Sequence, residues 1–424
     1  MHTQNVKSTT KQLILGAFIC AIGAFFYCYE FVLRIIPGVL QSELSAAFGH
    51  ISASTFGQLS ALYYFAYSPM QLPVGILMDR FGPRRLLLLA CLCCTVGSFM
   101  FSYSSSIWIA GSGRFLVGFG SSFAFVGVLS LAVHWLPRRY FSLVAGLMTT
   151  FAMLGLVYGE IKITELATSM GLNYVLLSMV VIGLVLTGLI FIVVRDKPNG
   201  EIMEVQPLSE FFHNILRVLV SPQVWLIAFV GACLYTSLSV FGELWGKSYL
   251  EQAHHLTKLQ AAKSISAMFI GWAVGAPLVG YFSDKWGRRV LPLVIGALFS
   301  LVCISLILYC PHLSFTSLNL LMFLYGLFSA TEIIIFVMAK ENCGARLSGT
   351  VFAAANMIVT LGGVIFQPLV GILLDTFGQA IKNPSGQYVY SVLDYQIALS
   401  ILPVSLVLVL VAAFFLKDRT ESIY

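Results

Sequence analysis

Charge is what this sequence has least of. Only 10% of its 424 residues are Asp, Glu, Lys or Arg, whereas a soluble domain carries about 25%. That excludes an ordinary water-soluble domain. Catalytic signatures are missing as well: no H-E-x-x-H, no G-x-x-x-x-G-K-[ST] phosphate loop, and no Ser or Cys nucleophile with placed partners. The chain is therefore expected to be no enzyme, to use no cofactor or metal and, lacking a nucleotide loop, not to be a primary pump. His254-His255 stands without clustered ligands and reads as a solvated pair. The nine cysteines make no disulfide framework, since eight of them lie in apolar runs and only Cys343 in a polar stretch. Cys91-x-x-Cys94 has redox spacing, but its uncharged surroundings argue for packing residues. The net charge of +6 does not point to nucleic acid, because its sign follows from where the basic residues sit.

Long apolar stretches fill the space that charge leaves. Hydrophobic residues make up 58% of the chain, and its mean hydropathy is +0.90. A helix needs about 20 apolar residues to cross a bilayer core of ~30 Å. Twelve stretches qualify: 13–40, 54–78, 86–104, 107–133, 141–163, 172–194, 223–248, 260–283, 290–310, 315–338, 347–374 and 395–416. With no water to bond the backbone, helix is the economical conformation there, and Pro37, Pro73, Pro277, Pro368 and Pro403 are expected to kink it without breaking it. The run after Lys7 and Lys11 starts like a signal peptide, but it continues to Leu40 through Glu30 and Arg34 and reads as an uncleaved first span. Of the 24 Lys and Arg, 17 fall in segments that twelve spans put on one face. The positive-inside rule makes that face cytoplasmic, with both termini. Residues 195–222 are the one long internal polar segment. The expected organisation is a six-span unit at 1–194, a cytoplasmic linker at 195–222 with a surface helix from Leu208 to Leu219, and a second six-span unit at 223–424.

The sequence also repeats itself. Gly75-Ile-Leu-Met-Asp79-Arg80-Phe-Gly82-Pro-Arg84-Arg85 returns 205 residues later as Gly280-Tyr-Phe-Ser-Asp284-Lys285-Trp-Gly287-Arg288-Arg289. Each copy lies between apolar stretches and is expected to be a tight cytoplasmic turn, its glycines allowing a bend and a close approach to a neighbour. Gly23-Ala-Phe-Phe-Tyr27 is echoed 208 residues on by Gly231-Ala-Cys-Leu-Tyr235, and Gly118 by Gly326 at the same offset. A third glycine–aspartate–glycine frame, Gly371-Ile-Leu-Leu-Asp375-Thr-Phe-Gly378, falls on the opposite face. Copies in register half a chain apart mark an internal duplication.

Twelve spans, a long middle segment and the paired G-x-x-x-D-x-x-G turn resemble the major facilitator superfamily. The resemblance implies an all-α integral membrane protein: twelve transmembrane helices in two pseudo-twofold related six-helix bundles, the first, fourth, seventh and tenth lining a central cavity. Arg114-Phe-Leu-Val-Gly118-Phe-Gly120 is similar to the family's fourth-helix motif. The fifth-helix antiporter signature is not met, because Gly146 to Gly159 contains no proline. That argues against drug/proton exchange. Tyr29-Glu30-x-x-Leu-Arg34, Tyr63-Tyr64-x-Ala-Tyr67-x-Pro69-Met-Gln71 and Glu243-Leu-Trp245-Gly resemble a bacterial branch that includes phagosomal amino-acid transporters. This implies a monomer in a bacterial inner membrane. Gly75, Asp79, Gly82, Arg84, Arg85, Gly280, Asp284, Gly287, Arg288 and Arg289 are expected to gate it, latching neighbouring helices and releasing them as the halves rock.

A charge at mid-bilayer costs roughly 2.5–3.5 kcal/mol, so such residues face a cavity or a partner. Glu30 and Arg34 lie i, i+4 on the first span, and Glu243 and Lys247 repeat that spacing on the seventh. Arg114 and Glu332 lie inside the fourth and tenth. Ion pairing within a helix would account for either i, i+4 pair without transport, and Glu160 and Lys162 are expected at a rim. Groups of both signs suit a small zwitterion. Arg34 or Arg114 would take a carboxylate and Glu243 or Glu332 an ammonium, while Tyr27, Tyr63, Tyr64, Tyr67, Tyr235 and Trp245 would build a side-chain pocket. Glu30 is the expected proton-coupling group: when the substrate competes for Arg34, the carboxylate loses its counter-ion and takes a proton more easily. The function expected is a secondary active transporter of a small polar or zwitterionic organic solute, best an amino acid or short peptide. It would work by alternating access, with proton-coupled uptake. Alternatives are an organic-anion exporter or exchanger, a facilitated uniporter and a non-transporting sensor.

Overall fold

The computed structural model describes residues 10–104, 106–137, 140–196, 208–343, 348–378, 382, 386 and 388–418. The chain runs α1 Thr10–Val39, α2 Gln41–Ala47, α3 Ala53–Met70, α4 Val74–Phe81, α5 Pro83–Tyr103, α6 Ile107–Ser121, α7 Ala124–Trp135, α8 Phe141–Met170 and α9 Leu172–Val193. Part of the expected linker, 197–207, lies outside the described residues, as do both termini and the basic residues Arg138 and Arg139. The expected surface helix is α10, Leu208–Leu219, which rests on later helices with Ile215 and Val218 buried. There follow α11 Pro222–Thr236, a π-helical stretch Ser237–Trp245, α12 Gly246–Ala253, α13 Lys258–Trp286, α14 Val290–Tyr309, α15 Phe315–Ser329, a 3-10 turn Ala330–Ile333, α16 Ile334–Cys343, α17 Ser348–Phe377, α18 Val392–Leu399 and α19 Ile401–Ala413.

Among the described residues, eleven helical segments are long and apolar enough to cross a membrane, several of them joining two of these elements end to end. The expected span at 54–78 is not among them. It is split at Gln71–Pro73 into α3 and α4, and the expectation that Pro73 would only kink the helix is corrected. Pro69 and Pro73 have no backbone N–H, so two donors one turn apart are missing from the helical ladder here. Pro37, Pro277 and Pro368 stay inside unbroken helices, as expected.

The first copy of the repeated turn bends at Gly82, φ +79°, with Pro83 opening α5 at a position that needs no backbone donor. The second ends α13 at Gly287, φ +59°, the left-handed residue that suits glycine. Gly75 and Gly280 make no close approach, for a Cβ at either would find nothing within 4 Å. In packing, α3 lies against α6 and α17, α13 against α15 and α8, and α1 against α7, α8 and the π-helical stretch. The outer faces carry exposed Leu, Ile, Val and Phe side chains, as a bilayer solvent requires.

Candidate functional site

Side chains from the two sequence repeats converge where α1, α3, the end of α11 and the π-helical stretch meet. Arg34 is their centre. Its Nη2 donates to Glu30 Oε2 at 3.1 Å and Oε1 at 3.3 Å, one turn back on α1. Its Nε donates to the Tyr63 hydroxyl at 3.1 Å and its Nη1 to the Tyr235 hydroxyl at 3.3 Å. The same Nη1 lies 3.9 Å from Glu243 Oε1 of the second repeat. The Tyr63 hydroxyl donates in turn to Glu30 Oε2 at 2.9 Å. The Tyr64 hydroxyl donates to Glu243 Oε2 and lies 3.0 Å from that of Tyr235. The guanidinium also sits 4.2 Å from the Phe31 ring centre and 5.1 Å from that of Tyr67. Glu30, Arg34 and Glu243 are all at most 5% exposed, so each depends on the others to offset its desolvation.

The expected Glu243–Lys247 pair does not form. Lys247 Nζ donates instead to the Val39 carbonyl at 2.7 Å and Thr164 Oγ1 at 2.8 Å. The reason is the π-helical winding from Ser237 to Trp245, whose wider turn removes the i, i+4 alignment that the sequence suggested. Glu160, expected at a rim, is buried, while its neighbour Lys162 is exposed and pairs with Glu165 at 2.7 Å.

Beside this cluster lies a cavity of about 690 Å³. Arg34, Tyr27, Tyr67, Tyr235 and Glu332 line it, and it extends to Gly75 and Asp79 at the turn end of the molecule. Tyr63, Glu30, Glu243 and Trp245 stand behind that wall. Trp245 is fully buried and donates to the Gln367 carbonyl at 3.1 Å. Arg114 is also out of the cavity, its Nη1 donating to the Leu33 carbonyl at 2.9 Å and its Nη2 to that of Arg34 at 3.4 Å. Cavity residues not expected at the site are Gln71, noted only within a motif, and Asn356, which bond each other at 2.9 Å, and Trp272. Asn356 and Gln367 are the two carboxamides in the span 347–374, and that was the available signal for Asn356.

The hydrogen bonds joining the two repeats run from Gln71–Asn356 to the far end. There Ser248 donates to Gln41 at 2.5 Å and Lys258 pairs with Glu43. Asp375 of the third glycine–aspartate frame accepts from the backbone of Ser54 at 2.9 Å and Ala53 at 3.2 Å, the first amides of α3, where a carboxylate is favoured. At the turn end each repeat closes on itself. Arg84 N donates to Asp196 at 2.9 Å. Arg289 N donates to Asp418 at 2.8 Å, while its side chain holds Asp284 at 2.6 Å and Glu341 at 2.8 Å. Gly82 lies against the Asp196 carboxylate. Arg85, Arg288 and Asp284 are exposed.

Comparison with known proteins agrees with this architecture. The chain is 23% identical to the lysosomal dipeptide transporter MFSD1 of Danio rerio, over 87% of this chain and 81% of that one. It is 22% identical to the probable sulfoacetate transporter SauU of Cupriavidus necator, over 88% and 89%. Its fold superposes on the crystal structure of a bacterial homolog of the human lysosomal transporter Spinster, inward-facing and unoccupied. The TM-score there is 0.77 at 16% identity, covering 96% of this chain and 99% of that one. The family pattern matches residues 13–367, and this multi-pass membrane chain belongs to the Major Facilitator Superfamily, a family of transporters and not of enzymes.

Proposed function

We propose that the protein is a secondary active transporter of a small ammonium-bearing organic solute, best a zwitterion such as an amino acid or short peptide, taken up with protons by alternating access. The observation that carries the reading is Arg34, held between Glu30 of its own helix and Glu243 of the other repeat, in the wall of a cavity lined by both repeats. In this reading 1–194 and 223–424 are two six-helix halves joined by 195–222. The turn end and both termini face the cytoplasm of a bacterial inner membrane, and the chain works as a monomer. In this reading the cavity opens toward the turns, where it reaches Gly75 and Asp79, and is closed at the far end, where Ser248 holds Gln41 and Lys258 holds Glu43.

Arg34 links the two halves in the cavity wall, so the strength of its contact with Glu243 bears on how readily the closed end opens. A proton on Glu30 or Glu243 weakens the cluster, and a guest that engages Tyr235 or Tyr67 competes for it. Coupling follows from this shared partner. The turn residues act in the other half-cycle. Asp375 caps α3 at the closed end, and Asp79 stands in the corresponding place at the open one, with Gly75 nearby free to receive a neighbour. The organic-anion alternative loses support, because both deep arginines already have their terminal nitrogens engaged.

Proteoliposomes under an imposed pH gradient test the reading. Wild type should accumulate an amino acid or dipeptide against its gradient, whereas Glu30→Gln and Glu243→Gln should exchange it without accumulation. Undiminished accumulation by Glu30→Gln removes that residue from coupling. Absence of counterflow in wild type favours a sensor.

A further inference from the structure

We propose that Glu332 is the anchor for the guest's positive nitrogen, so that the ammonium group is obligatory for recognition and a carboxylate on the guest is dispensable. This rests on the transporter reading and names its substrate class: small organic amines with an apolar or aromatic body.

Three charged side chains line the cavity among the described residues: Arg34, Asp79 and Glu332. Arg34 is spent, since all three of its nitrogens donate within the cluster and two carboxylates flank it. A guest carboxylate arriving there would meet a charge already more than balanced. Asp79 stands at the turn end. Glu332 differs from both: it is 5% exposed, it lines the cavity, and among the described residues it has no hydrogen-bond or ion-pair partner. An isolated buried carboxylate is costly until a cation or a proton neutralises it. Among the described residues no cation pairs with Glu332, so what neutralises it, a cationic guest or a proton, has to come through the cavity.

The rest of the wall suits a cation. Tyr27, Phe31, Tyr67, Tyr235, Trp272 and Phe336 line the same space, and aromatic faces attract ammonium groups in desolvated sites. Glu332 also sits in the 3-10 turn that interrupts the span from α15 to α16, a departure from regular helix of the kind that marks functional positions. The place 208 residues earlier is Ala124. The anchor is therefore single and has no twin in the first repeat.

Thermal-shift and competition binding on the purified full chain test this, with leucine amide, phenylalanine amide and alanyl-alanine amide as probes. Each is compared with its N-acetyl derivative and its free acid, with phenylpyruvate and glucarate as anions. The amides should bind about as well as the free acids. N-acetylation should weaken binding at least about tenfold, the loss of one charged hydrogen bond. Glu332→Gln should lose the same factor for amines while keeping the unliganded melting temperature, and Glu332→Asp should recover part of the affinity. The proposal is overturned if N-acetyl or anionic probes bind as tightly as the amines, if no amine binds, or if Glu332→Gln keeps amine affinity. In proteoliposomes, flux of the anions alone would sink this inference and leave transport standing. Amine binding without flux would do the reverse.

Discussion

In the first repeat Gly118 of α6 presses on the carbonyl of Tyr63 in α3; in the second, Gly326 of α15 presses on the carbonyl of Met268 in α13. The turns match in the same way, Arg84 N on Asp196 and Arg289 N on Asp418. The charges do not match. Opposite Arg34, 208 residues on, stands Gly242; opposite Arg114, Met322; and Glu332 answers to Ala124. Helix crossings are shared between the repeats because backbones can approach closely only where no Cβ intervenes. Binding chemistry is not, because a small guest has no twofold symmetry to match.

Removing the asymmetric centre should have the largest effect. Arg34→Ala leaves Glu30 and Glu243 buried without their shared counter-charge and should cost about 3–5 kcal/mol, seen as a large fall in melting temperature together with loss of transport. Next come the symmetric crossings. Gly118→Val and Gly326→Val should each cost about 1–3 kcal/mol by overpacking against backbone, and to a similar degree. A large inequality between them would break the equivalence of the repeats.

The turn pair follows. Asp196→Ala and Asp418→Ala should each cost about 1–2 kcal/mol, the worth of backbone hydrogen bonds to a charged group, by thermal denaturation. The smallest effect lies at the sealed end. Burial opposes ionisation of Glu43, but Lys258 and Ser42 outweigh it and hold the carboxyl below its usual range. A depressed carboxyl contributes stability above its unfolded pKa and loses it as the pH falls through the folded one. Lys258→Ala should therefore lower stability by less than about 1 kcal/mol at neutral pH, and the difference from wild type should vanish in acid.

Glu30 and Arg34 were legible as a pair because a regular helix puts i and i+4 on one side, and α1 is regular there. Glu243 and Lys247 have the same spacing but do not pair, because the π-helical winding is not written in any residue between Ser237 and Trp245. The third frame at Asp375 was visible as a motif, yet its partner, the start of α3, lies 321 residues away in sequence. Asp196 and Asp418 went unremarked for the same reason.

Local chemistry in the chain was enough to determine that it is helical and membrane-embedded, that it is built on a repeat, and which few charges had to be sheltered. Those properties follow from apolar length, glycine–aspartate spacing and the cost of desolvation, all of which act residue by residue. Which charges share a partner, which arginine is merely tied to a backbone, and which carboxylate is left facing a cavity were decided only by tertiary structure. A buried charge is defined by whatever surrounds it from other helices, and sequence order does not carry that information.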